Sequence, residues 1–331
     1  MTAPPVLAIE GLRVRYPTRR GDLAAVAGLD FTIERGEILG LIGESGCGKT
    51  TTAMAVLRLI QPPASITAGS VTLNGDTDLL SLGERELREL RWRELALVPQ
   101  GALNSLNPLL RIQRQLADVI RTHEGRTRRS QLDARIQELF SIVGLPSRVA
   151  RLYPHELSGG MKQRVCIAMA IALHPPLVIA DEPTSALDVI VQRVVAQTLL
   201  DIKRRLGISI LLIGHDIGLM AQLADRVAVM YRGRIVEIGP TEELFAAPKH
   251  PYTELLIEAV PAIGRPATLK LLEGLVPDPF DDSPGCVFEG RCPYRFARCE
   301  ATQPDLLRIG PHHRSACFLH QPPVTTPAVT A

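Results

Sequence analysis

Residues 43–50 of this chain read Gly43-Glu44-Ser45-Gly46-Cys47-Gly48-Lys49-Thr50, and this stretch decides the fold class because it fits the pattern GxxxxGK[ST]. An apolar run at residues 38–42 precedes it and predicts a strand, whereas residues 51–60 lack Gly and Pro and space their apolar side chains as a helix does. In such a strand, loop and helix, backbone N–H groups curl around phosphate oxygens, and the helix presents its positive end to them. The sequence therefore predicts an α/β fold with a nucleotide phosphate loop.

The residue types within this loop predict separate contacts with a nucleotide. Lys49 is expected to contact the β- and γ-phosphates, and the hydroxyl of Thr50 is expected to bind Mg²⁺. Thr51 follows at the start of the helix and joins the candidate nucleotide contacts. Cys47 is interpreted as a small filler of the loop and not as a nucleophile.

Two acidic residues follow a second apolar run, at residues 177–180. Asp181 is the candidate ligand of a water-bound Mg²⁺, and Glu182 is the candidate general base that deprotonates an attacking water. Two acids at a solvated strand end are the alternative interpretation. The phosphate loop in the same chain favours the catalytic one.

Composition excludes several other classes of protein. The 331 residues carry 37 Lys and Arg against 35 Asp and Glu, a net charge of +2, which provides no basic field for a nucleic-acid backbone. The longest uninterrupted apolar run, residues 165–173, is about half of what spans a bilayer. The start shows no basic stretch followed by an apolar segment, so we expect a cytoplasmic chain without disulfides.

The order of predicted elements divides the chain into regions. Short β-branched strands at the start predict an antiparallel β subdomain, and Leu-, Arg- and Glu-rich stretches predict an inserted helical subdomain at about residues 101–157. The alternation of helices and strands that follows favours a mostly parallel sheet. We expect an ATPase domain at residues 1–260, an extension at 261–320 and a disordered tail at 321–331.

A second motif, Leu157-Ser158-Gly159-Gly160, opens a predicted helix and offers another anion-binding N-terminus. With the phosphate loop and Asp181-Glu182, it makes residues 6–260 resemble the ATP-binding-cassette (ABC) ATPases. The resemblance implies a head-to-tail dimer in which each ATP lies between the phosphate loop of one subunit and the LSGG helix of the other. Ser158, Gly159 and Gly160 would then contact the partner's ATP.

Four further positions match the pattern of that family. Gln100 resembles the Q-loop glutamine, which implies contact with Mg²⁺ and water, and Asp188 resembles the aspartate that faces the partner subunit. His215 resembles the switch histidine at the γ-phosphate. Tyr16 resembles the aromatic residue that stacks on adenine, although an aromatic residue at a strand end is commonly only packing.

Residues 102–108 after Gln100 and the C-terminal cysteines resemble one branch of the family, the ATPase subunits of bacterial oligopeptide, dipeptide and nickel importers. Two departures are Gly101-Ala102, where QDPxxSLNP is common, and Gly214, where Thr is commoner. The branch implies uptake of peptides or a related solute, a second ATPase subunit, two transmembrane permease subunits and an extracytoplasmic solute-binding protein. It also implies peripheral attachment to the cytoplasmic face of the inner membrane.

The C-terminal cysteines are spaced C-x₅-C-x₆-C-x₁₇-C, at Cys286, Cys292, Cys299 and Cys317. Four thiolates suit either Zn²⁺ or an iron-sulfur cluster, and the spacing does not choose between them. The resemblance implies a [4Fe-4S] cluster, with Zn²⁺ as the alternative. Nearby arginines either offset the charge of such a centre or are solvated: Arg291, Arg295, Arg298 and Arg314.

Two other functions compete with the importer subunit. A soluble cassette ATPase acting on DNA or ribosomes is disfavoured because only 106 residues without sustained heptads separate Thr50 from Leu157, and because one cassette is present. A metal or redox sensor with a vestigial ATPase is disfavoured by the complete motifs. Nickel or another non-peptide solute stays open within the importer hypothesis.

Overall fold

The computed structural model describes residues 3–101, 105–185, 187–259, 278, 280 and 283–321. Residues 322–331 of the predicted tail and residues 261–277 of the predicted extension lie outside the described residues, as do residues 102–104 of the segment after Gln100.

Two sheets organise the described part of the chain. Their strands are β1 (Leu7–Thr18), β2 (Gly21–Ile33), β3 (Ile38–Ile42), β4 (Ser65–Leu73), β5 (Thr77–Asp78), β6 (Leu95–Val98), β7 (Leu177–Asp181), β8 (Ser209–Ile213), β9 (Arg226–Tyr231), β10 (Arg234–Pro240), β11 (Leu307–Arg308) and β12 (Arg314–Ser315).

The smaller sheet is the predicted antiparallel β subdomain, with strand order β2-β1-β4-β5. Leu7 of β1 pairs with Ile33 of β2 on one side and with Leu73 of β4 on the other. Buried and more exposed residues alternate along much of β1, as expected when one face of an antiparallel sheet packs on a core.

The larger sheet has the order β11-β12-β10-β9-β3-β8-β7-β6 and is mixed. From β9 to β6 neighbouring strands are parallel, and every residue of β3, β7 and β8 is buried because the sheet is covered on both faces. The segments after β3, β7 and β8 therefore meet at one edge, outside the carboxyl ends of the strands, where α/β folds bind ligands.

Helices surround these sheets, and those at Ile112–Glu124 and Arg129–Ile142 belong to the predicted helical insert. The helices of the described residues are α1 (Lys49–Val56), α2 (Glu84–Leu90), α3 (Ile112–Glu124), α4 (Arg129–Ile142), α5 (Gly159–Ala170), α6 (Val189–Leu206), α7 (Ile217–Leu223), α8 (Thr241–Ala246), α9 (Pro251–Glu258) and α10 (Ala297–Ala301). The helix predicted at residues 51–60 ends early, at Val56, and Arg58 has a left-handed backbone with φ 54°. None of these helices is both long and apolar enough to cross a membrane.

The C-terminal extension is joined to the larger sheet. Strand β12 pairs antiparallel with β10, so that Ser315 lies opposite Glu237 and Arg314 lies opposite Ile238. The side chain of Glu237 is fully buried, and Nε2 of His313 lies 2.7 Å from its Oε1. The extension therefore shares backbone hydrogen bonds and a buried side-chain hydrogen bond with the cassette.

Candidate active site

The phosphate loop connects β3 to α1 in a conformation that excludes side chains at two glycines. Gly43 has φ +153°, and a Cβ atom there would lie 2.1 Å from the carbonyl oxygen of Met230. Gly48 has φ +107°, and its Cβ would lie 2.2 Å from the carbonyl oxygen of Ala25. The neighbouring strands β9 and β2 thus require glycine at both ends of the loop.

The ammonium group of Lys49 lies inside this loop. Its Nζ donates hydrogen bonds to the carbonyl oxygens of Gly43 at 2.7 Å and Glu44 at 3.0 Å, and the residue is buried. Cys47 is buried as well, which fits its interpretation as a filler, and burial raises the pKa of its thiol. A buried cation enclosed by a glycine-rich loop is suited to binding an anion.

Asp181, at the end of β7, lies beside the start of α1. Its Oδ1 accepts a hydrogen bond from Oγ1 of Thr50 at 3.3 Å. The residue is fully buried, and Oδ2 has no hydrogen-bond partner among the described residues. Burial raises the pKa of Asp181, and the neighbouring Glu182 adds to this, whereas the Thr50 hydroxyl opposes it. A buried carboxylate oxygen without a partner is the kind of atom that a bound cation satisfies.

Glu182 is the centre of a cluster with Gln100 and His215. Its Oε2 accepts a hydrogen bond from Nε2 of Gln100 at 2.9 Å, and Nδ1 of His215 lies 3.4 Å from its Oε1. The backbone of Glu182 is left-handed, with φ 46°, a strained conformation that is concentrated at functional sites. Glu182 and His215 line a cavity of about 130 Å³, which has room for water.

The LSGG motif and Asp188 form a second cluster on α5 and α6. Oγ of Ser158 caps α5 by accepting from the N–H of Met161 at 3.4 Å, and Asp188 caps α6 by accepting from the N–H of Val191 at 2.9 Å. A Cβ atom at Gly160 would lie 2.3 Å from Cγ1 of Val191. Gly160 therefore allows the close contact that joins the two helix starts, and Gly159 begins α5 beside it.

Tyr16 lies on β1, opposite Leu23 of β2. Leu23 in turn lies two residues before Ala25, whose carbonyl oxygen approaches Gly48 of the phosphate loop. Its ring is partly buried against the core that the smaller sheet shares with β3. Both the packing and the stacking interpretation of Tyr16 are compatible with this position.

Two family models match the chain. A model of the ABC transporter family matches residues 26–185, and a model of the C-terminal region of oligopeptide/dipeptide transporters matches residues 236–299. The dipeptide transport ATP-binding protein DppD of Haemophilus influenzae is 40% identical over 308 residues, which cover 92% of this chain and 93% of that protein. The chain belongs to the ABC transporter ATPases. Within this family it is of the oligopeptide/dipeptide importer type.

A further relative and a solved structure agree with this assignment to the ABC ATPases. The DppD protein of Escherichia coli is 38% identical over 315 residues, 94% of this chain and 96% of that protein. The ATP-binding cassette MJ0796, solved as a dimer in a post-hydrolysis state with ADP and phosphate, has a TM-score of 0.63 and 26% identity, covering 71% of this chain and 98% of that one. The predicted ABC-type α/β fold and ATPase activity are confirmed.

The four C-terminal cysteines of this ABC ATPase line one small cavity of about 20 Å³, the size of about one water molecule. Burial, followed by the mutual influence of the thiols, raises the pKa of Cys286 and of Cys317 to about 11. Within the described ranges, three or more His, Cys, Asp or Glu side chains never lie close enough together to hold a metal ion. The metal cluster therefore stays a prediction.

The phosphate loop of this ABC ATPase also has contacts that sequence reasoning missed. Both oxygens of the Glu44 carboxylate bind the guanidinium group of Arg291, and the backbone N–H of Glu44 donates to the hydroxyl oxygen of Tyr252 at 2.9 Å. Arg291, predicted to offset thiolate charge or to be solvated, instead reaches the nucleotide loop. Local sequence carries no signal for a contact across 247 positions. Arg298, also predicted to offset thiolate charge or to be solvated, instead places its guanidinium group over the ring of Phe318, 3.9 Å from the ring centre.

Proposed function

We propose that this ABC ATPase drives uptake of oligopeptides or dipeptides through separate permease subunits. The observation that carries this proposal is the match of residues 236–299 to the C-terminal region of oligopeptide/dipeptide transporters, a region outside the part that the general ABC family model covers. Relatives named dipeptide transport proteins cover both regions of the chain, which supports the same conclusion.

In this proposal Lys49 binds the β- and γ-phosphates. Its hydrogen bonds to the carbonyl oxygens of Gly43 and Glu44 hold the ammonium group within the loop. When ATP binds, phosphate oxygens replace these carbonyl oxygens as its acceptors. The remaining loop contacts come from backbone N–H groups at the start of α1, and Tyr16 stacks on adenine. The other loop residues assigned to the nucleotide are Ser45, Gly46, Cys47, Gly48, Thr50 and Thr51.

The residues beside the loop fit a magnesium ion. Oδ2 of Asp181 is buried without a partner, Oγ1 of Thr50 lies beside the same carboxylate, and both are hard oxygen ligands of the kind that Mg²⁺ prefers. Gln100 completes the proposed set. When bound, Mg²⁺ neutralises charge on the transferred phosphoryl group.

Glu182 is the proposed general base for hydrolysis. Its carboxylate takes a proton from the attacking water, whose oxygen bonds to the γ-phosphorus while the bond to the ADP oxygen breaks. The amide of Gln100, at 2.9 Å, orients this carboxylate. His215, whose Nδ1 lies 3.4 Å from Oε1 of the same carboxylate, is the proposed contact with the γ-phosphate.

The proposal also includes partners. A second ATPase subunit, either identical or a paralogue, supplies the LSGG helix, so that Ser158, Gly159, Gly160 and Asp188 complete the partner's nucleotide site. Two transmembrane permease subunits and an extracytoplasmic solute-binding protein complete the importer. The chain then lies on the cytoplasmic face of the inner membrane as a peripheral subunit.

The assigned base is tested with Glu182→Gln and the exposed carboxylate variant Glu242→Gln as its matched control. Loss of the base is expected to lower kcat at least about 100-fold, because general base catalysis contributes about 10²–10⁴-fold. ATP binding is retained, and a stable dimer accumulates with ATP in gel filtration. Normal turnover of Glu182→Gln would refute the assignment.

The transport function is tested separately, in vesicles that contain the permease and binding-protein subunits. Labelled dipeptide is expected to accumulate only with ATP on the side of this chain, and Glu182→Gln abolishes the accumulation. ATP hydrolysis that is stimulated by another solute, with no dipeptide uptake, would contradict peptide import.

The C-terminal cysteines are proposed to hold a [4Fe-4S] cluster, with Zn²⁺ as the alternative. Four thiols are the donor type that such a cluster takes, and they line one cavity. In this arrangement no three of them lie close enough together to share a metal ion, and a four-iron cluster requires a wider space than about 20 Å³. The buried Nε of Arg291, next to Cys292, has no hydrogen-bond partner among the described residues. Metal analysis of purified protein decides: iron with acid-labile sulfide supports the cluster, and zinc alone supports the alternative. Cys292→Ser loses the metal, whereas Cys166→Ala keeps it.

A further inference from the structure

The guanidinium group of Arg291, in the C-terminal extension, forms a two-pronged ion pair with Glu44 of the phosphate loop. Its Nη1 lies 3.0 Å from Oε2 and its Nη2 lies 2.9 Å from Oε1. The side chain of Arg291 is 4% exposed and that of Glu44 is 24% exposed. A bidentate, desolvated Arg–carboxylate pair is geometrically specific and stronger than an exposed ion pair.

Aromatic side chains hold Arg291 in place. The phenol oxygen of Tyr231 accepts a hydrogen bond from its Nη1 at 3.3 Å, and the guanidinium lies 6.0 Å from the ring centre of Phe288. Phe288 is buried and packs against Tyr231 and Tyr252 of the cassette, with ring centres 5.3 Å and 5.4 Å away. The turn that carries Arg291 is thus anchored on the cassette three residues earlier.

Glu44 connects this anchor to Lys49. The carbonyl oxygen of Glu44 accepts from Nζ of Lys49 at 3.0 Å and from the backbone N–H of Cys47 at 3.3 Å. Its own N–H donates to the hydroxyl of Tyr252 at 2.9 Å. The side chain and backbone of one loop residue are therefore held from outside the loop, while the same residue contacts the phosphate-binding lysine.

We propose that Arg291 is a positioning residue that acts through Glu44 and holds the phosphate loop ready for ATP, so that the affinity for ATP depends on the C-terminal extension. This inference rests on the proposed nucleotide site. A loop that is ordered before binding does not lose its conformational freedom on binding, and affinity rises accordingly. Hydrolysis itself is unaffected, because Glu182, Gln100 and His215 do not contact the pair.

The first test measures loop order without nucleotide. Hydrogen exchange of the full chain is followed by mass spectrometry in peptides that cover residues 43–50. Arg291→Gln is expected to speed exchange there at least fivefold, and Arg291→Lys gives a smaller increase because a single ammonium group does not make both bonds. Arg295→Gln is the matched control, since Arg295 pairs with Glu289 within the same extension. It leaves exchange in the loop unchanged.

The second test separates KM from kcat in the same variants. Arg291→Gln is expected to raise the KM for ATP about tenfold, or about 1.4 kcal/mol, with kcat within about twofold of the wild type. Glu44→Gln breaks the same pair from the loop side and serves if Arg291→Gln does not fold. The double variant is expected to resemble either single variant.

Three results would overturn the proposal: unchanged exchange at residues 43–50 in both pair variants, equal effects in Arg295→Gln, or multiplied KM effects in the double variant. A wild-type chain that binds no ATP would overturn the proposed function instead. In that case the exchange measurement still decides whether Arg291 orders the loop, because it uses no nucleotide.

Discussion

The carboxylate of Asp181 accepts a hydrogen bond from the hydroxyl of Thr50 at 3.3 Å, across 131 positions of the sequence. This contact brings two proposed magnesium ligands together. Asp181→Asn keeps the size and an acceptor oxygen but removes the charge. It is expected to raise the Mg²⁺ concentration for half-maximal ATPase activity at least about tenfold, a loss of about 1.4 kcal/mol. Asp201→Asn, on α6, is the control, and equal magnesium dependence in both variants would contradict the assignment.

Gln100 is expected to act on hydrolysis through the carboxylate of Glu182. Gln100→Ala removes the hydrogen bond that orients the base and lowers kcat about tenfold, with the KM for ATP changed less than threefold. Gln100→Glu replaces the amide donor with a second carboxylate that repels the carboxylate of Glu182, so kcat is expected to fall further than in Gln100→Ala. Gln113→Ala, in the helical insert, controls for a general effect. An unchanged kcat in both Gln100 variants would count against this orienting role.

The contact between Gly160 and Val191 predicts a pair of compensating substitutions. Gly160→Ala forces a Cβ atom to 2.3 Å from Cγ1 of Val191, so we expect a destabilisation of about 1–3 kcal/mol and a lower melting temperature. The double variant Gly160→Ala/Val191→Ala restores most of the stability because it removes the clashing atom. Gly218→Ala is the control, since the nearest atom to its Cβ lies 3.4 Å away. A double variant no more stable than Gly160→Ala would contradict this account.

Acid is expected to weaken the attachment of the extension through Glu237. Burial alone raises the pKa of this carboxyl, but hydrogen bonds from His313 and from the backbone N–H groups of Lys249 and His250 outweigh burial and hold the pKa below the usual 4.5. The unfolded chain therefore takes up this proton first, and the stabilisation is present above pH 4.5 and lost as the pH falls through the lower folded pKa.

Glu237→Gln removes the charged acceptor and is expected to lower stability by about 1–3 kcal/mol at neutral pH, with a flatter dependence of the melting temperature below pH 4.5. Glu243→Gln is the control. Glu243 also lies near His313, 3.8 Å from its Nδ1, but its side chain is exposed, so loss of its charge is expected to change stability little. If both variants melted as the wild type does from pH 3 to pH 6, the buried pair would not stabilise the attachment.

Sequence patterns predicted most elements that carry the site, but not their ends or the minor elements. The helix after the phosphate loop was predicted at residues 51–60 and spans Lys49–Val56, because helix ends depend on capping and packing. Helix α2 was missed because Leu87 is its one buried residue, which leaves little apolar periodicity. Strand β10 was missed because Glu237 interrupts its apolar run, which then ends in Gly239-Pro240. The joining of β12 to β10 was missed as well, because pairing between distant strands has no local signature.

By itself the sequence determined the phosphate loop, the acidic strand end and the LSGG helix start. Each is a local pattern whose spacing dictates its backbone, and together they sufficed for the fold class and the ATPase family. Tertiary structure alone decided which distant side chains meet: Gln100 with Glu182, and Glu44 with Arg291. Such contacts depend on how β3, β7 and the C-terminal turn pack against one another, and side-chain packing in three dimensions is not encoded in the spacing of any one motif.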